Sequence, residues 1–516
     1  MFKNYIKIAF RNIIKHKAYS LINILGFALG ISCFLLIMFY VIDEFSYDTF
    51  HSQADRIYRV AEKYTQSGKV QLIANSSSPW GPAMAEDFPE VLNSVRLMPP
   101  VTQYVVSNPE KNLHFYERRF VFSDPTIFDV FDFELIEGDL QSVLSKPGQL
   151  VLTESTARKY FDRENPIGKT LMLDKIHSFS VTGIVKDVPN NSHLKFDFLA
   201  SFITLQNRNM RPYAPGLDFW LDRRGTIYTY ILMQEGASPQ DLEQKIPEFM
   251  QKHAGELYKR LQTLNTLDPF LQPIKDIHLR SHIEREWEPN SYIQHVYIFG
   301  AVAVFILLIA CFNFMNLSTA RASLRAQEVG LRKVVGAERS QLIRQFLSES
   351  VFFTALATIL AVGMTHLFLP LLNRLTIKTI SISYLSDWWL IPGILFLILI
   401  VGLLSGSYPA FLISSFQPVR VLKGQLIGTL SGKTIRKVLT VFQFAISIGL
   451  IIALSVVSAQ MSFIRSKDLG YDKKNIVVLP LSNTREGQNY RPYKEAILNH
   501  PKVEAVSASH TLMGKP

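Results

Sequence analysis

The chain has 516 residues, of which 48% are hydrophobic, and its 54 Lys and Arg against 43 Asp and Glu give a formal net charge of +11. Its mean hydropathy of +0.14 is too high for one ordinary soluble domain and too low for a chain embedded entirely in a membrane. Both cysteines, Cys33 and Cys311, lie in long apolar runs, which excludes a disulfide framework and a cysteine-based zinc or iron–sulfur site.

Five apolar segments are each long enough to cross a lipid bilayer as a helix, and none contains Lys, Arg, Asp or Glu. The first is too long for the apolar region of a signal peptide and is followed directly by Asp43 and Glu44, so we interpret it as a retained anchor. The predicted spans are residues 19–42, 296–317, 351–372, 388–411 and 438–461.

Basic residues are concentrated in the N-terminal tail and in the segments after the second and fourth spans. Short cytoplasmic segments of membrane proteins are enriched in Lys and Arg, so the net charge reflects topology and gives no support to nucleic-acid binding. The predicted fold class is membrane α-helical, with five transmembrane helices and a large extracytoplasmic α/β (α+β) domain. The predicted order is a cytoplasmic segment 1–18, an extracytoplasmic domain 43–291, cytoplasmic segments 318–350 and 412–437, and the incomplete start of a second extracytoplasmic domain, 462–516.

The N-terminal tail has helical spacing. Basic residues recur every four positions from Lys3 to Lys15 beside an apolar stripe, which predicts an amphipathic helix over 1–18 in the inner membrane interface. A solvated basic tail that only sets the orientation is the alternative.

The 43–291 segment alternates between strand and helix signals. An apolar strand at 150–152 ends at Thr153, whose side chain can cap a helix. Apolar residues over 171–185 predict a hairpin that turns at Asp174 and Lys175.

A further strand is predicted over 227–233, and a further helix after it. Ser238 is the expected cap, with Pro239 at the first helical position and Asp241 as its capping-box partner. Pro247 is expected to kink or split this helix.

Catalytic and metal sites have little support in the sequence. His278 and His282 are spaced to share one helical face, but no acidic residue around them completes a zinc motif. The carboxylates between Asp129 and Asp139 alternate with aromatic residues, as in a half-buried edge with a solvated face. We therefore predict no catalytic residue, no metal site and no bound cofactor in this chain, which is not expected to be an enzyme.

Two GKT tripeptides, at 432–434 and 168–170, raise the question of nucleotide binding. The first has a glycine at the wrong spacing, and the second has Arg163 where the phosphate-binding loop needs glycine. Neither can form a glycine-rich phosphate nest.

The segment 318–350 is the most informative part of the chain. It contains no proline, and apolar residues are interleaved with charged ones from Glu328 to Val335. Gly336 can end a short helix there, with Glu338 opening the next one. A charged helix at the cytosolic surface between two spans is typical of a docking device, whereas a plain basic connector would not need the apolar residues.

This region carries a family resemblance. The run EVGLRKVVGA, between NFMNLSTARAS and QLIRQFLSES, resembles the coupling helix of MacB-like and FtsX-like ABC transporter permeases. FSDPTIFDVFDFELIEGD, LVLTESTARKYF and NPIGKTLMLD resemble that family's extracytoplasmic core domain, and SGSYPAFLISSFQPVRVLKG resembles the end of its fourth span.

The resemblance implies a permease subunit in the bacterial cytoplasmic (inner) membrane that couples ATP hydrolysis by a separate ABC ATPase to motion of its periplasmic domain. ATP and Mg would be bound by that partner. Other implied partners are a second permease copy or a tandem second half, membrane lipid and a periplasmic adaptor. The implied work is efflux of peptides or drugs, lipoprotein handling or control of cell-wall hydrolases. The residues carried over as ATPase contacts are Glu328, Val329, Leu331, Arg332, Lys333 and Val335.

The fifth span departs from the common four-span unit. Because a second outside domain follows it, we expect the chain to be the first part of a longer tandem permease. A membrane receptor whose extracytoplasmic domain binds a ligand is the alternative function.

Overall fold

The computed structural model describes residues 11, 15, 17–66, 68–100, 103–214, 217–220, 227–320, 322–382, 388–415, 430–467, 475–479 and 490–509. The chain forms two compact units. The membrane unit contains Met1–Phe45 and Ile293–Asp472. The other contains Ser46–Tyr292, which we call the sheet domain, together with Lys473–Pro516. Most of the helix predicted over 1–18 lies outside the described residues, as do 416–429 of the predicted segment 412–437.

Among the residues that the structure describes, five helices, α1, α7, α9, α10 and α11, are long and apolar enough to cross a membrane. In chain order the α-helices are α1 (Lys17–Phe45), α2 (Trp80–Asp87), α3 (Ile127–Val130), α4 (Glu154–Phe161), α5 (Pro239–Leu264), α6 (Ile277–Arg280), α7 (Ile293–Ala320), α8 (Ala322–Val334), α9 (Arg339–Thr376), α10 (Leu390–Ser414), α11 (Leu430–Ser466) and α12 (Tyr490–Leu498).

Helix α9 begins at Arg339, well before its predicted span at 351, because the sequence from Arg339 has no proline until Pro370. The second half of the predicted 318–350 loop is therefore the first part of one continuous helix of 38 residues.

Helices α9 and α10 approach each other closely at two glycines. A Cβ at Gly402 would lie 2.7 Å from the Cα of Val351, and a Cβ at Gly406 would lie 2.5 Å from Oγ of Ser350. These glycines are four residues apart and so share one face of α10, which is the spacing that lets membrane helices pack at short range. The buried core of this unit takes side chains from α1, α7, α9 and α10.

Ion pairs connect the far end of α9 to α1. Lys378 Nζ lies 2.5 Å from Asp43 Oδ2 and 2.6 Å from Glu44 Oε1, and the Glu44 side chain is only 3% exposed. Ile377, which precedes the lysine, has a left-handed backbone (φ 55°, ψ 37°) that ends α9. Helix α1 extends to Phe45, so Asp43 and Glu44 lie inside it and not in the domain predicted from residue 43.

The sheet domain is built on one mixed sheet. Its strand order is β13-β1-β12-β3-β6-β11-β8-β10-β9-β4-β5, with β2 paired to β1 and β7 paired to β10. Most neighbours are antiparallel, but β8 and β10 are parallel, as are β6 and β11. The strands are β1 (Ile57–Gln66), β2 (Lys69–Ile73), β3 (Val91–Met98), β4 (Tyr104–Asn108), β5 (Leu113–Glu117), β6 (Phe120–Ser123), β7 (Leu135–Glu137), β8 (Gln149–Thr153), β9 (Thr170–Leu173), β10 (His177–Val185), β11 (Phe198–Ser201), β12 (Tyr228–Met233) and β13 (Asn265–Pro273).

Several sequence-based expectations for this domain are confirmed. Thr153 caps α4, with its Oγ1 accepting the N–H of Thr156 at 3.4 Å. Strands β9 and β10 form the expected hairpin, and both Asp174 and Lys175 have positive φ in its turn. Ser238 accepts the N–H of Asp241 at 3.2 Å at the start of α5.

One other expectation is wrong, and one possible arrangement of histidines is not formed. Helix α5 continues through Pro247 and departs from helical geometry at Gly255 instead (φ 47°, ψ −126°), because glycine adopts this conformation at little cost. Helix α6 ends at Arg280, so His282 lies beyond it and does not share a helical face with His278.

Buried charges fix both chain segments that connect the sheet domain to α1 and α7. Arg59 on β1 has a fully buried side chain and donates two hydrogen bonds to Glu286, at 2.6 and 2.9 Å. Asp48, three residues after α1, lies 2.9 Å from Nδ1 of His193. Burial would raise the pKa of Asp48, but the His193 imidazole holds it below its usual range.

Alanine at either contact glycine of α10 is expected to destabilise the membrane unit. Gly402→Ala and Gly406→Ala each place a Cβ against α9, at a cost of about 1–3 kcal/mol. Gly393→Ala is the matched control, since nothing lies within 4 Å of its Cβ position on the same helix. Alanine there is expected to be neutral or slightly stabilising. Thermal unfolding midpoints of the purified proteins test this, and three equal midpoints would contradict the packing described.

Removing the Arg59 side chain is expected to loosen the segment before α7. Arg59→Leu leaves the largely buried carboxylate of Glu286 without its guanidinium partner, which costs up to about 3–5 kcal/mol. The double variant Arg59→Leu/Glu286→Leu removes both charges and is expected to recover part of that loss. Hydrogen exchange of the amides in 281–292 measures the effect in the full-length protein; equal exchange in the single and double variants would refute it.

Candidate functional site

Helix α8 contains nearly all of the predicted contact run and ends at the predicted glycine. Gly336 has φ +98°, and its N–H donates to the carbonyl of Lys333 at 3.1 Å. The N–H of Ala337 donates to the carbonyl of Arg332 at 3.0 Å, which completes a glycine-based C-terminal cap. Helix α9 then starts with Glu338 as its cap residue.

One side of α8 is buried against α9 and α10. Val329 is 3% exposed and belongs to a separate small apolar cluster. Burying a valine side chain contributes on the order of 1.5–3 kcal/mol, so this contact holds the helix against its neighbours. The other buried members of the cluster are Leu342, Phe346, Ala410 and Ile413.

Lys333 is a second anchor of α8. Its Nζ donates to the backbone carbonyl of Ser414 at 2.6 Å, at the last residue of α10. Partial burial, and secondarily the nearby Arg339, lowers the pKa of this lysine. A cation at the C-terminal end of α10 also interacts favourably with that helix's dipole.

Arg332 is engaged within the chain. Its Nη2 donates to Oε1 of Glu328 at 2.5 Å, one helical turn earlier, and its Nη1 donates to Oε1 of Gln345 on α9 at 2.8 Å. Both charged side chains remain part-exposed, at 36% for Arg332 and 59% for Glu328. They form a surface pair that also orients α8 on α9.

The exposed apolar side chains of α8 form a strip at its C-terminal end. Leu331 is 60% exposed, Val334 60% and Val335 82%. The six predicted residues therefore divide into two anchors, a charged pair and two exposed apolar residues. Val334 was part of the interleaved run in the sequence but was not predicted as a contact. Its position next to Val335 is the signal that could have identified it.

The histidines considered as metal ligands have other roles. His278 stacks on Tyr47 with ring centroids 3.4 Å apart, and His282 stacks on Tyr292 at 4.2 Å. Among the residues that the structure describes, no group of three or more His, Cys, Asp or Glu is arranged to hold a metal ion.

Two family models match the chain in succession. The MacB-like periplasmic core domain matches residues 20–249, and the FtsX-like permease C-terminal domain matches residues 300–418, which include all of α8. The chain belongs to the MacB- and FtsX-like family of ABC transporter permeases. It is a multi-pass membrane protein with a periplasmic-type core domain, and this assignment displaces the receptor alternative.

Two relatives are named as ABC transporter or export permeases. The chain is 22% identical over 432 residues to the uncharacterized ABC transporter permease YvrN of Bacillus subtilis, covering 81% of this chain and 99% of that protein. It is 23% identical over 280 residues to the macrolide export ATP-binding/permease protein MacB of Bdellovibrio bacteriovorus, covering 53% of this chain. The second match spans only 38% of that longer protein.

Two solved structures are similar to part of the chain. A domain of a permease protein from Porphyromonas gingivalis is 21% identical, with a TM-score of 0.38, and the match covers 48% of this chain and 98% of that one. The periplasmic region of MacB from Actinobacillus actinomycetemcomitans is 16% identical, with a TM-score of 0.29, covering 42% and 90%.

Anchoring and exposed residues of α8 are expected to respond differently to truncation. Val329→Ala and Lys333→Ala remove contacts to α9 and α10, so the amides of α8 are expected to exchange about tenfold faster. Leu331→Ala and Val335→Ala are the controls and are expected to leave exchange unchanged, since these side chains touch little of the protein. Similar exchange in all four variants would show that α8 is not held in this way.

Proposed function

We propose that this permease couples ATP hydrolysis by a separate ABC ATPase to motion of its sheet domain. In this proposal α8 lies at the cytoplasmic surface and the ATPase docks on its exposed strip, Leu331, Val334 and Val335. ATP and Mg are bound by that partner. The observation that carries the proposal is the division of α8 into a side anchored on α9 and α10 and an exposed apolar end.

The chemistry of the strip suits a protein partner. Apolar side chains at the centre of an interface supply most of its binding energy when they enter a groove. The charged pair Glu328 and Arg332 lies beside the strip, where rim charges guide association. Anchoring by Val329 and Lys333 reduces the entropy lost when the partner binds.

Helix α9 offers a direct route for force from the docking site. It starts three residues after Gly336 and runs for 38 residues without a break, which corresponds to about 57 Å of helix. At its far end Lys378 pairs with Asp43 and Glu44 of α1. Helix α1 continues directly into Ser46, the first residue of the sheet domain.

The orientation that fits this route places the N-terminus and α8 in the cytoplasm and the sheet domain outside the cytoplasmic membrane. The concentration of Lys and Arg in residues 318–350 and 412–437 supports it. The proposed work is export of a molecule, or removal of a lipoprotein, at the outer face of that membrane. The MacB relatives are named as macrolide export proteins, which favours export.

Co-purification of an ABC ATPase with the full-length protein from its own membranes tests the docking site. Leu331→Glu and Val335→Glu each put a charge on the exposed strip and are expected to reduce the recovered ATPase at least tenfold. Gln341→Glu is the matched control, because it adds the same charge at an exposed position of α9 outside the strip. Its ATPase recovery is expected to equal that of the wild type.

Two results would refute the proposal. One is the absence of any ABC ATPase from the wild-type preparation in every mild detergent tried. The other is full recovery of the ATPase with both strip variants, which would move the docking surface elsewhere.

A further inference from the structure

A cleft in the sheet domain has the size of a small-molecule site. Its volume is about 470 Å³, and pockets for drug-sized ligands typically measure roughly 300–1,000 Å³. It is bordered by α2, β3, the turn that follows β11, residues 217–220 and α5. The apolar part of its wall consists of Pro79, Pro82, Ala83, Phe202, Leu217 and Trp220.

Trp220 provides an aromatic surface that the fold holds in place. Its ring stacks on His253 with centroids 4.5 Å apart and packs edge-on against Phe249 at 5.9 Å. Its backbone carbonyl accepts a hydrogen bond of 3.0 Å from Nε1 of the fully buried Trp80. An indole ring fixed in this way can contact an apolar or cationic ligand with little loss of side-chain entropy.

The charge of Arg96, which lines the cleft, is already balanced inside the domain. Its Nε and Nη2 donate to the two carboxylate oxygens of Asp124 at 2.8 and 2.9 Å. Its Nη1 donates to Oγ of Ser78 at 3.2 Å, and the guanidinium lies 4.2 Å from the centre of the Phe202 ring. An anionic ligand would have to compete with Asp124 for this group.

The second basic group of the wall, His253, is also paired. Its Nε2 lies 2.7 Å from Oδ2 of Asp87, whose other oxygen accepts a hydrogen bond from Lys252 at 2.7 Å. These two hydrogen bonds hold the pKa of Asp87 below its usual range, so it stays ionised and retains both partners.

The negative charges of the acidic side chains in the cleft are less fully paired with basic groups. Asp218 pairs with Arg211 at 2.6 Å. Glu86 of α2 is exposed and lines the cleft, and it forms no ion pair with any residue in the described part of the chain. Within the described residues, the wall therefore carries one negative charge without an ion-pair partner, beside aromatic side chains.

We infer that this cleft binds an organic cation with an apolar body. Glu86 balances the positive charge of the ligand, and Trp220 and Phe202 contact its apolar part. Binding at this site involves only the sheet domain, so it does not depend on the ATPase docking proposed above. Each proposal can therefore fail without the other.

Dansylcadaverine is a suitable probe, because it joins a fluorescent apolar group to a primary ammonium. Its binding to the full-length protein in lipid nanodiscs is followed by fluorescence, with empty nanodiscs subtracted. Glu86→Gln is expected to weaken binding about tenfold, since a charge-assisted contact is lost. Trp220→Leu is expected to weaken it several-fold. Glu235→Gln, at an exposed carboxylate outside the cleft, is the matched control and is expected to bind as the wild type does.

Two related compounds isolate the role of the charge. N-acetylated dansylcadaverine has no charge and is expected to bind at least tenfold more weakly, and dansylglycine, which carries a carboxylate, is expected not to compete. Equal binding of the acetylated probe, or wild-type affinity in Glu86→Gln, would overturn the inference. Tighter binding of dansylglycine would also overturn it and would indicate an anion site at Arg96. If Trp220→Leu does not fold, Glu86→Gln still decides, since Glu86 is an exposed side chain.

Discussion

Two buried contacts fix the chain segments that join the sheet domain to the membrane helices. Residues 46–51 follow α1, and Asp48 fixes them to His193. Residues 281–292 precede α7, and Glu286 fixes them to Arg59 on β1. Separating either pair, with no water entering to replace the lost contact, would leave a buried charge without a partner. This costs free energy because the protein interior has a low dielectric constant. Each connecting segment is therefore fixed to the sheet domain by one buried contact.

Close packing in the membrane unit complements these connections. The glycines of α10 let its backbone contact α9 directly, and interiors packed at this density deform little. Helix α9 runs from Arg339 to Thr376, and the ion pairs of Lys378 lie two residues beyond its end. In the coupling proposed above, a push on α8 is transmitted by whole helices and needs no flexible intermediate.

The sequence predicted the membrane helices and the local motifs of the sheet domain well, because both depend on neighbouring residues. Uninterrupted apolar runs locate the spans, and the Thr153 cap and the turn at Asp174 need only their own segments. Contacts between residues far apart in the sequence could not be predicted from local patterns. Arg59 and Glu286 are 227 residues apart, and Val329 and Val335 are both valines although one is buried and the other exposed. The position of α8 against Ser414 and Ile413 of α10 determines which valine is buried.

The arrangement of α8 also bears on how partner choice can change over time. Val329 and Lys333 hold the helix, whereas Leu331, Val334 and Val335 contribute little to that hold. Substitutions in the exposed set are therefore nearly free of a folding penalty and, under the docking proposed above, can alter which ATPase is recognised. A duplicated permease gene could in this way acquire a new ATPase by a few changes in one helical turn, while its membrane helices and sheet domain stay as they are.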